Sequence, residues 1–366
     1  MRSRTTVAVQ VALTLLLVPA IALAVPANNK KAAASAGASG TLRAAYVGKG
    51  GPLPQGAKVG WSHAAYENGD CSICHVGKDP KNPGALKASV NDLCFQCHEE
   101  FTSVMSRQVK HPPAVERCTN CHNAHNSTEK KLLYTEVYTL CNTCHVKIKG
   151  IAENAKVKHG ALSTGGKCVS CHNPHAANVE KLLVQLPFDL CVNCHSQDGL
   201  KDDAGKTLTN FSKLLAANKV WHAPVANKDC SACHMTHGSN NFRLLVEDYP
   251  AKFYAPYDPK NYALCFSCHN DKVAATPETT TLTNFRDGSR NLHFLHVNKT
   301  ERGRTCRACH EVHASPFDHQ IREKTPFGSS GWGLNVGWQK TATGGQCAKT
   351  CHDTKQYSNK TVASKK

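Results

Sequence analysis

The chain has 366 residues, among them 20 cysteines and 21 histidines, and its formal net charge at pH 7 is +17. Only 7% of the residues are aromatic and the mean hydropathy is −0.41, which argues against an ordinary domain built around one large apolar core. The charge alone would suggest nucleic acid or an anionic membrane as a partner, but the motifs described below weaken that interpretation.

The first 24 residues predict a secretory signal peptide. Arg2 and Arg4 form a charged n-region, Val7 to Val18 is an apolar h-region, and Ala22-Leu23-Ala24 matches an A-x-A cleavage site. The apolar run is too short for a stable membrane span, with an uncleaved anchor as the alternative. We therefore expect an exported protein that has no transmembrane segment after signal cleavage.

Residues 25–62 predict a flexible leader, because they are rich in Ala, Gly, Pro, Ser and Lys. A docking tail is the alternative. No cysteine lies just after the signal, so a lipid anchor at the N-terminus is not expected.

From residue 71 onward the motif Cys-x-x-Cys-His recurs, which is the motif of c-type haem attachment. Two cysteines three positions apart lie on the same side of a helical turn, a spacing that suits thioether bonds to both vinyl groups of one haem. The histidine can then reach the iron as an axial ligand. The copies, the last with one extra residue, are Cys71–Cys74–His75, Cys94–Cys97–His98, Cys118–Cys121–His122, Cys141–Cys144–His145, Cys168–Cys171–His172, Cys191–Cys194–His195, Cys230–Cys233–His234, Cys265–Cys268–His269, Cys306–Cys309–His310 and Cys347–Cys351–His352.

These ten copies use all twenty cysteines, so we expect ten covalently bound haem c groups. The number falls to nine if Cys347 and Cys351 form a disulfide instead. Zinc sites and ten disulfides are the alternatives for the whole set, but neither requires a histidine after every second cysteine.

The predicted haems also change the charge. Cleavage after Ala24 removes Arg2 and Arg4 and takes +17 to +15. Each ferric haem adds about −1, because its two propionates outweigh the single positive charge of the iron–porphyrin centre. Ten haems therefore leave a charge of about +5, and nucleic-acid binding is not expected.

Residues 63–352 form an internal repeat. We define five units at about 63–98, 111–145, 159–195, 222–269 and 293–352, followed by a polar tail at 353–366. Each unit has an upstream histidine, a first motif, a third histidine and a second motif. The two motifs begin 23 residues apart in units one to three, but 35 and 41 apart in units four and five.

The eleven remaining histidines nearly match ten distal positions on the irons. One class precedes a first motif (His63, His111, His159, His222 and His296), and the other follows a motif histidine by three residues (His125, His175, His237 and His313). Histidines of the second class are poorly placed to reach over their own haem, so we expect them to bind neighbouring haems. Unit one has Lys78 at this position. Either His319 or one of His293 and His296 fills the missing place, and His319 is favoured because it lies in the long insert of unit five.

The phrases His122-Asn123-Ala124-His125, His172-Asn173-Pro174-His175 and His222-Ala223-Pro224 resemble the doubled-CxxCH family of multihaem cytochromes c over residues 63–352. Within that family the chain is similar to decahaem periplasmic cytochromes that sit in outer-membrane porins and carry electrons to extracellular acceptors. The resemblance implies covalent haem c, two histidines on each iron and a closely spaced row of haems. The wide spacings of units four and five and the Cys347–His352 copy depart from the family pattern.

The expected fold is that of a multihaem cytochrome c: mostly irregular coil with short α-helices at the haem motifs and little β-structure, held together by covalent haems. Thr135 to Leu140, for example, shows no clean helix or strand period.

The expected function is electron transfer along the haems by an exported protein, either periplasmic, associated with the outer membrane or extracellular. Expected partners are redox proteins, including an outer-membrane porin and other multihaem cytochromes. No catalytic acid, base or nucleophile constellation stands out, so we do not expect an enzyme. The alternatives are a reductase with one open iron, at Cys71–His75 or Cys347–His352, and the subunit of an extracellular cytochrome filament.

Overall fold

The computed structural model describes residues 51–53, 55–327, 332–347 and 350–360. The predicted signal peptide, most of the leader and the end of the polar tail lie outside the described residues. In the described part of the chain, no helix is both long enough and apolar enough to cross a membrane.

The α-helices are short, and in the described ranges none exceeds nine residues. They are α1 (Ala64–Glu67), α2 (Val90–Phe95), α3 (Glu100–Met105), α4 (Pro112–Glu116), α5 (Val137–Asn142), α6 (Val146–Asn154), α7 (Pro187–His195), α8 (Phe211–Ala217), α9 (Ala223–Ala226), α10 (Ala263–Phe266) and α11 (Leu292–Val297). Single 3-10 turns lie at Cys71–Ile73, Cys118–Asn120, Lys130–Leu132, Gly160–Leu162, Lys167–Ser170, Glu180–Leu182, Cys230–Ala232, Phe242–Leu244, Pro259–Tyr262, Asp271–Ala274, Cys306–Ala308 and Asp318–Gln320.

The strands are also short and form small antiparallel sheets. They are β1 (Trp61–Ser62), β2 (Val109–Lys110), β3 (Asn126–Ser127), β4 (Ala176–Ala177), β5 (Val220–Trp221), β6 (Arg286–Asp287), β7 (Arg290–Asn291), β8 (Ala314–Ser315), β9 (Lys324–Pro326), β10 (Gly333–Asn335), β11 (Gln339–Thr341), β12 (Gly344–Cys347) and β13 (Lys355–Ser358). The pairs are β1–β3, β2–β4, β5–β8, β6–β7 and β9–β10, and β12 lies between β11 and β13 in a three-stranded sheet.

First and second motifs differ in backbone conformation. Every first motif begins in or at a 3-10 turn, whereas the second motifs of units one to four lie at the ends of α-helices. Local sequence explains the helices: the Ser89 side chain caps α2, the Glu136 side chain accepts hydrogen bonds from the N–H groups of Tyr138 and Thr139 at the start of α5, and Pro187 occupies the first turn of α7. The cap at Glu136 defines a helix in a stretch that shows no periodicity.

One hydrogen-bonded link joins each unit to the next, so the five units are connected by four links. Strands β1, β2 and β5 lie just before the upstream histidines of units one, two and four, and they pair with β3, β4 and β8, which follow the third histidines of units two, three and five. Units three and four are joined in the same way by an isolated antiparallel bridge between Val157 and Ser239. The units therefore form a row in which each one is hydrogen-bonded to its neighbours.

The apolar core made by protein atoms is small. Among the described residues twelve apolar side chains are buried, and six of these are alanines. Leu245, Tyr249 and Tyr262 form one cluster in unit four, and Leu334 and Trp338 are buried in unit five. Short helices, scattered two-residue strands and mostly irregular backbone confirm the predicted fold class.

Candidate haem-binding sites

Each first motif continues into a tight hairpin that returns to its own histidine. The histidine Nδ1 lies within hydrogen-bonding distance of the carbonyl oxygen nine residues further on, and a backbone bridge forms two residues later. The Nδ1–O distances are 2.8 Å for His75–Gly84, His122–Lys131, His172–Lys181 and His310–His319, and 3.1 Å for His234–Arg243. The bridges pair these histidines with Leu86, Leu133, Leu183, Leu245 and Ile321.

The carbonyl comes from a turn with a left-handed backbone. In units two to five two consecutive residues have φ between +55° and +61°: Lys131–Leu132, Lys181–Leu182, Arg243–Leu244 and His319–Gln320. This conformation costs about 1–2 kcal/mol for each residue other than glycine, and unit one avoids part of it with Gly84 at φ +75°. Strain of this kind persists where the surroundings require it, and here it aims a carbonyl oxygen at a motif histidine.

His319 therefore occupies the position of Lys131 and Lys181, and its backbone carbonyl contacts His310. Its side chain is exposed and lies in no histidine pair in the described ranges. The prediction that favoured His319 as a distal ligand is not supported by this geometry. The sequence suggested His319 from its place in the insert, but that place is a turn.

The structure brings the motif histidines and the distal candidates together in ten pairs, one for each motif. The ring centres lie 6.0–6.5 Å apart in His75–His125, His98–His63, His122–His175, His145–His111, His172–His237, His195–His159, His234–His313, His269–His222, His310–His293 and His352–His296. We call them sites one to ten in this order, which is the order of the motifs along the chain.

The spacing of these pairs fits one iron between two imidazoles. Bonds from a metal to a histidine nitrogen are about 2 Å long, and the ring centre lies about 1 Å beyond the nitrogen, so two axial imidazoles have centres about 6 Å apart. Eight pairs have ring planes within 9–22° of each other; the exceptions are His63–His98 at 40° and His296–His352 at 45°. The residues present therefore fit a bis-histidine haem at each motif.

The pairs follow one rule. An upstream histidine faces the second motif of its own unit, as His111 faces His145, and a third histidine faces the first motif of the preceding unit, as His175 faces His122. Unit one has Lys78 in place of a third histidine, and residues 1–62 contain no haem motif. The first motif of unit five departs from this rule. There His293, from the same unit, takes the distal place opposite His310.

Backbone contacts hold the distal histidines of neighbouring sites together. The N–H groups of His63, His111 and His222 donate to the carbonyl oxygens of His125, His175 and His313, at 2.8–2.9 Å. In addition, Nδ1 of His111 lies 2.8 Å from the Pro174 carbonyl oxygen, and Nδ1 of His159 lies 2.9 Å from that of Thr236. A hydrogen bond at Nδ1 fixes the tautomer that leaves Nε2 available to a metal.

Burial favours the neutral imidazole, which is the form that binds iron. It lowers the pKa of His293 and of His313 to about 4. Burial is also the first cause of a lowered pKa at His63, His111, His122, His175, His195, His222, His234, His237, His296 and His310.

The cysteines show that consecutive motifs are neighbours in space. Between units, the first cysteines interact: one thiol affects the pKa of its partner in Cys94–Cys118, Cys141–Cys168, Cys191–Cys230 and Cys265–Cys306. Within units, the second cysteine of the first motif interacts electrostatically with cysteines of the second motif, as Cys121 does with Cys144. The ten sites therefore form a row in sequence order, and all twenty cysteines are free of disulfides.

Site ten differs from the others. Cys347 ends strand β12, so this motif does not begin in a helical turn, and the residues at 348–349 lie outside the described ranges. Nδ1 of His352 lies 2.6 Å from the Asp353 carbonyl oxygen, and Nδ1 of His296 lies 2.7 Å from that of Leu292. The Cys347–Cys351 copy thus has a histidine pair despite its longer spacing.

Comparison with known proteins supports the repeat. A family model described as the doubled CXXCH motif matches residues 63–103, 111–150, 159–200 and 222–274, which cover units one to four. The multiheme cytochrome MtrA of Shewanella baltica (strain OS185) is 30% identical over 98 residues, which are 25% of this chain. The chain spans 29% of the length of that curated relative.

Proposed function

The chain is a multihaem c-type cytochrome with doubled CXXCH motifs, and we propose that it carries electrons along a row of ten covalently bound haems. The single observation that carries this proposal is the set of ten histidine pairs, one for each motif. Covalently bound haem c supplies an iron that alternates between the ferric and ferrous states.

The histidine pairs favour electron transfer over catalysis. Two imidazoles fill both axial positions of an iron, so no position stays open for a substrate. Sites one and ten, the candidates for an open iron, have the pairs His75–His125 and His352–His296. The hairpin carbonyls and the linked distal histidines hold the imidazoles in place, so the ligands need little rearrangement when the charge at the site changes.

Both ends of the row are closed within the chain. Lys78 stands where a third histidine would bind a preceding haem, and His293 completes site nine from within unit five. This arrangement supports a discrete cytochrome over a filament whose subunits share axial ligands. Electrons would enter and leave at the two ends through contacts with redox partner proteins.

We further propose that the protein is exported and acts in the periplasm or at the outer membrane. The predicted signal peptide and the likeness to a multiheme cytochrome support this location. An outer-membrane porin and other multihaem cytochromes are the proposed partners, on the resemblance stated above.

The test is the intact mass of the protein, isolated from a host that attaches haem c, beside a C347A/C351A variant. We expect a mass shift of ten haems for the wild type and nine for the variant, with cleavage after Ala24. A wild-type shift of nine would remove site ten from the proposal, and a chain without haem would refute it. Carbon monoxide should not bind the reduced wild-type protein, because binding would reveal the open iron of a reductase.

A further inference from the structure

The arginines are unevenly distributed along the chain. Seven of the twelve lie between residues 243 and 322, in units four and five, whereas lysine dominates the earlier units. Three of them, Arg243, Arg307 and Arg322, converge where unit four meets unit five, and we call them the arginine cluster. Arg243 and Arg322 each interact electrostatically with Arg307, so like charges are held close together.

The cluster lies beside two haem sites. Arg243 and Arg307 interact electrostatically with His313, the distal histidine of site seven. Arg322 acts on His310, the motif histidine of site nine, and its Nε donates a hydrogen bond of 2.9 Å to the His310 carbonyl oxygen. Any group bound by these guanidiniums is therefore adjacent to both sites.

Few carboxylates balance the cluster. The Arg322 side chain is only 7% exposed, and its Nη2 lies 2.9 Å from Glu311 Oε2 without the alignment of a hydrogen bond. The Arg307 guanidinium lies 6.0 Å from the ring centre of Tyr249, and its buried Nε has no hydrogen-bond partner among the described residues. Asp202 and Glu311 both interact electrostatically with Arg243, whose side chain is exposed.

Uncompensated buried charge is strongly unfavourable, and so is a buried N–H group without an acceptor. The Arg322 guanidinium, which is buried beside one carboxylate, and the Arg307 Nε, which is buried without an acceptor, therefore call for additional anionic acceptors. A guanidinium binds a carboxylate through two parallel hydrogen bonds, which a lysine ammonium does not provide.

We propose that Arg307 and Arg322 bind carboxylates, namely the propionates of the haems held at sites seven and nine. This proposal rests on the proposed function, because that function places haems at His234–His313 and His310–His293. Each haem would bring two propionates to its site, and these would supply carboxylates beside the cluster in addition to Glu311.

Units two to four have no cation at the positions of Arg307 and Arg322, and unit one has one only at the second position. Arg307 stands where units one to four have Ser72, Thr119, Val169 and Ser231, and Arg322 stands where they have Lys87, Tyr134, Val184 and Val246. A positive charge disfavours the ferric state, which carries one more positive charge than the ferrous state. Sites seven and nine therefore have higher midpoint potentials than sites three and five, their counterparts in units two and three.

The test compares R307Q and R322Q with R302Q, which removes the same charge from an exposed side chain. Each protein is first shown by mass to hold ten haems and is then titrated potentiometrically, with absorbance and electron paramagnetic resonance as readouts. We expect R307Q and R322Q to lower the midpoint potentials of one or two haems, while R302Q leaves all ten unchanged. R307K, which keeps the charge, should retain most of the wild-type potential.

R322Q leaves Glu311 without its partner, so an R322Q/E311Q double variant serves if the single variant does not fold. Unchanged potentials in both R307Q and R322Q, with ten haems present, would overturn the propionate proposal and leave electron transfer standing. Potentials that move with added inorganic phosphate in the wild type would show that the cluster binds a free anion instead. A chain that holds no haem would refute the proposed function itself.

Discussion

Units one to three differ from units four and five in which apolar side chains they bury. Between residues 63 and 195 the buried apolar residues of the described chain are all alanines: Ala152, Ala176 and Ala177. Beyond residue 200 buried leucine, tyrosine and tryptophan side chains appear, including Tyr262 at 0% exposure. Units one to three thus rely on their haems for buried apolar surface. Units four and five, with their wider motif spacing, add a core of apolar side chains.

The added core comes from the inserts that widen the motif spacing. In unit four the insert carries Tyr249 and Tyr262, whose rings pack edge to face with centres 6.4 Å apart. In unit five it carries β9 to β11 and Trp338, whose indole N–H donates to the Tyr357 hydroxyl at 3.1 Å. Insertion in this repeat therefore adds support around the last sites, while the upstream histidines of units four and five still face the second motif of their own unit.

The prediction with the largest expected effect tests whether His293 is the distal ligand of site nine. H293A should open the iron of site nine, because His293 is the histidine that faces His310. The reduced variant should bind carbon monoxide at about one haem in ten, measured by absorbance. H319A is the matched control and should bind none, since only its backbone carbonyl contacts His310. Binding in H319A and not in H293A would reverse the assignment.

A second prediction tests the separate core of unit five. W338A should destabilise the sheet of β11 to β13 by about 3 kcal/mol, the range expected for truncation of a buried tryptophan. Hydrogen exchange of residues 339–347 and 355–358 should accelerate, while units one to three stay unchanged. W332A is the control, because Trp332 is 60% exposed; equal effects of the two variants would argue against a local core.

A third prediction tests the strained turns of the regular units. K181G should raise stability by about 0.5–1 kcal/mol, because relief of about 1–2 kcal/mol at φ +58° exceeds the entropy cost of glycine, about 0.5–1 kcal/mol. Thermal unfolding of the haem-loaded protein measures the gain. K147G, inside helix α6, should instead lose about 1 kcal/mol. A loss in K181G would show that the turn is not strained.

The smallest effect concerns the junction of units two and three. The hydrogen bond from Lys167, 2.8 Å away, is the first cause that lowers the pKa of Glu136 to about 2. Glu136 is 39% exposed, so solvent screening limits its contribution to less than about 1 kcal/mol. The contribution is present above the ordinary value of 4.5 and disappears as the pH falls from there toward 2.

This pH dependence is measured as the difference in melting temperature between wild type and E136Q. The difference should be full at pH 6 and shrink as the pH falls below 4.5. K167M at pH 6 keeps the Glu136 cap of α5 and isolates the ion pair. A wild-type advantage that grows as the pH falls would contradict the predicted sign.

The sequence alone predicts the motifs, the repeat and the two classes of distal histidine, because covalent haem attachment uses a local motif and repeats preserve spacing. It does not predict that His293 rather than His319 faces His310. That pairing depends on the left-handed turn at His319–Gln320, a conformation that is uncommon for residues other than glycine. The sequence also does not predict the sheet of unit five, because its strands span only three or four residues each.

The offset pairing of units also bears on the order in which the proposed ten-haem protein would be completed. His75 meets His125, which lies fifty residues later in the chain, so a haem at a first motif would wait for the next unit to supply its second histidine. Sites three, five and seven wait in the same way. Unit five ends the delay, because His293 precedes His310. In the proposed protein, haem sites would therefore be completed in order from unit one to unit five.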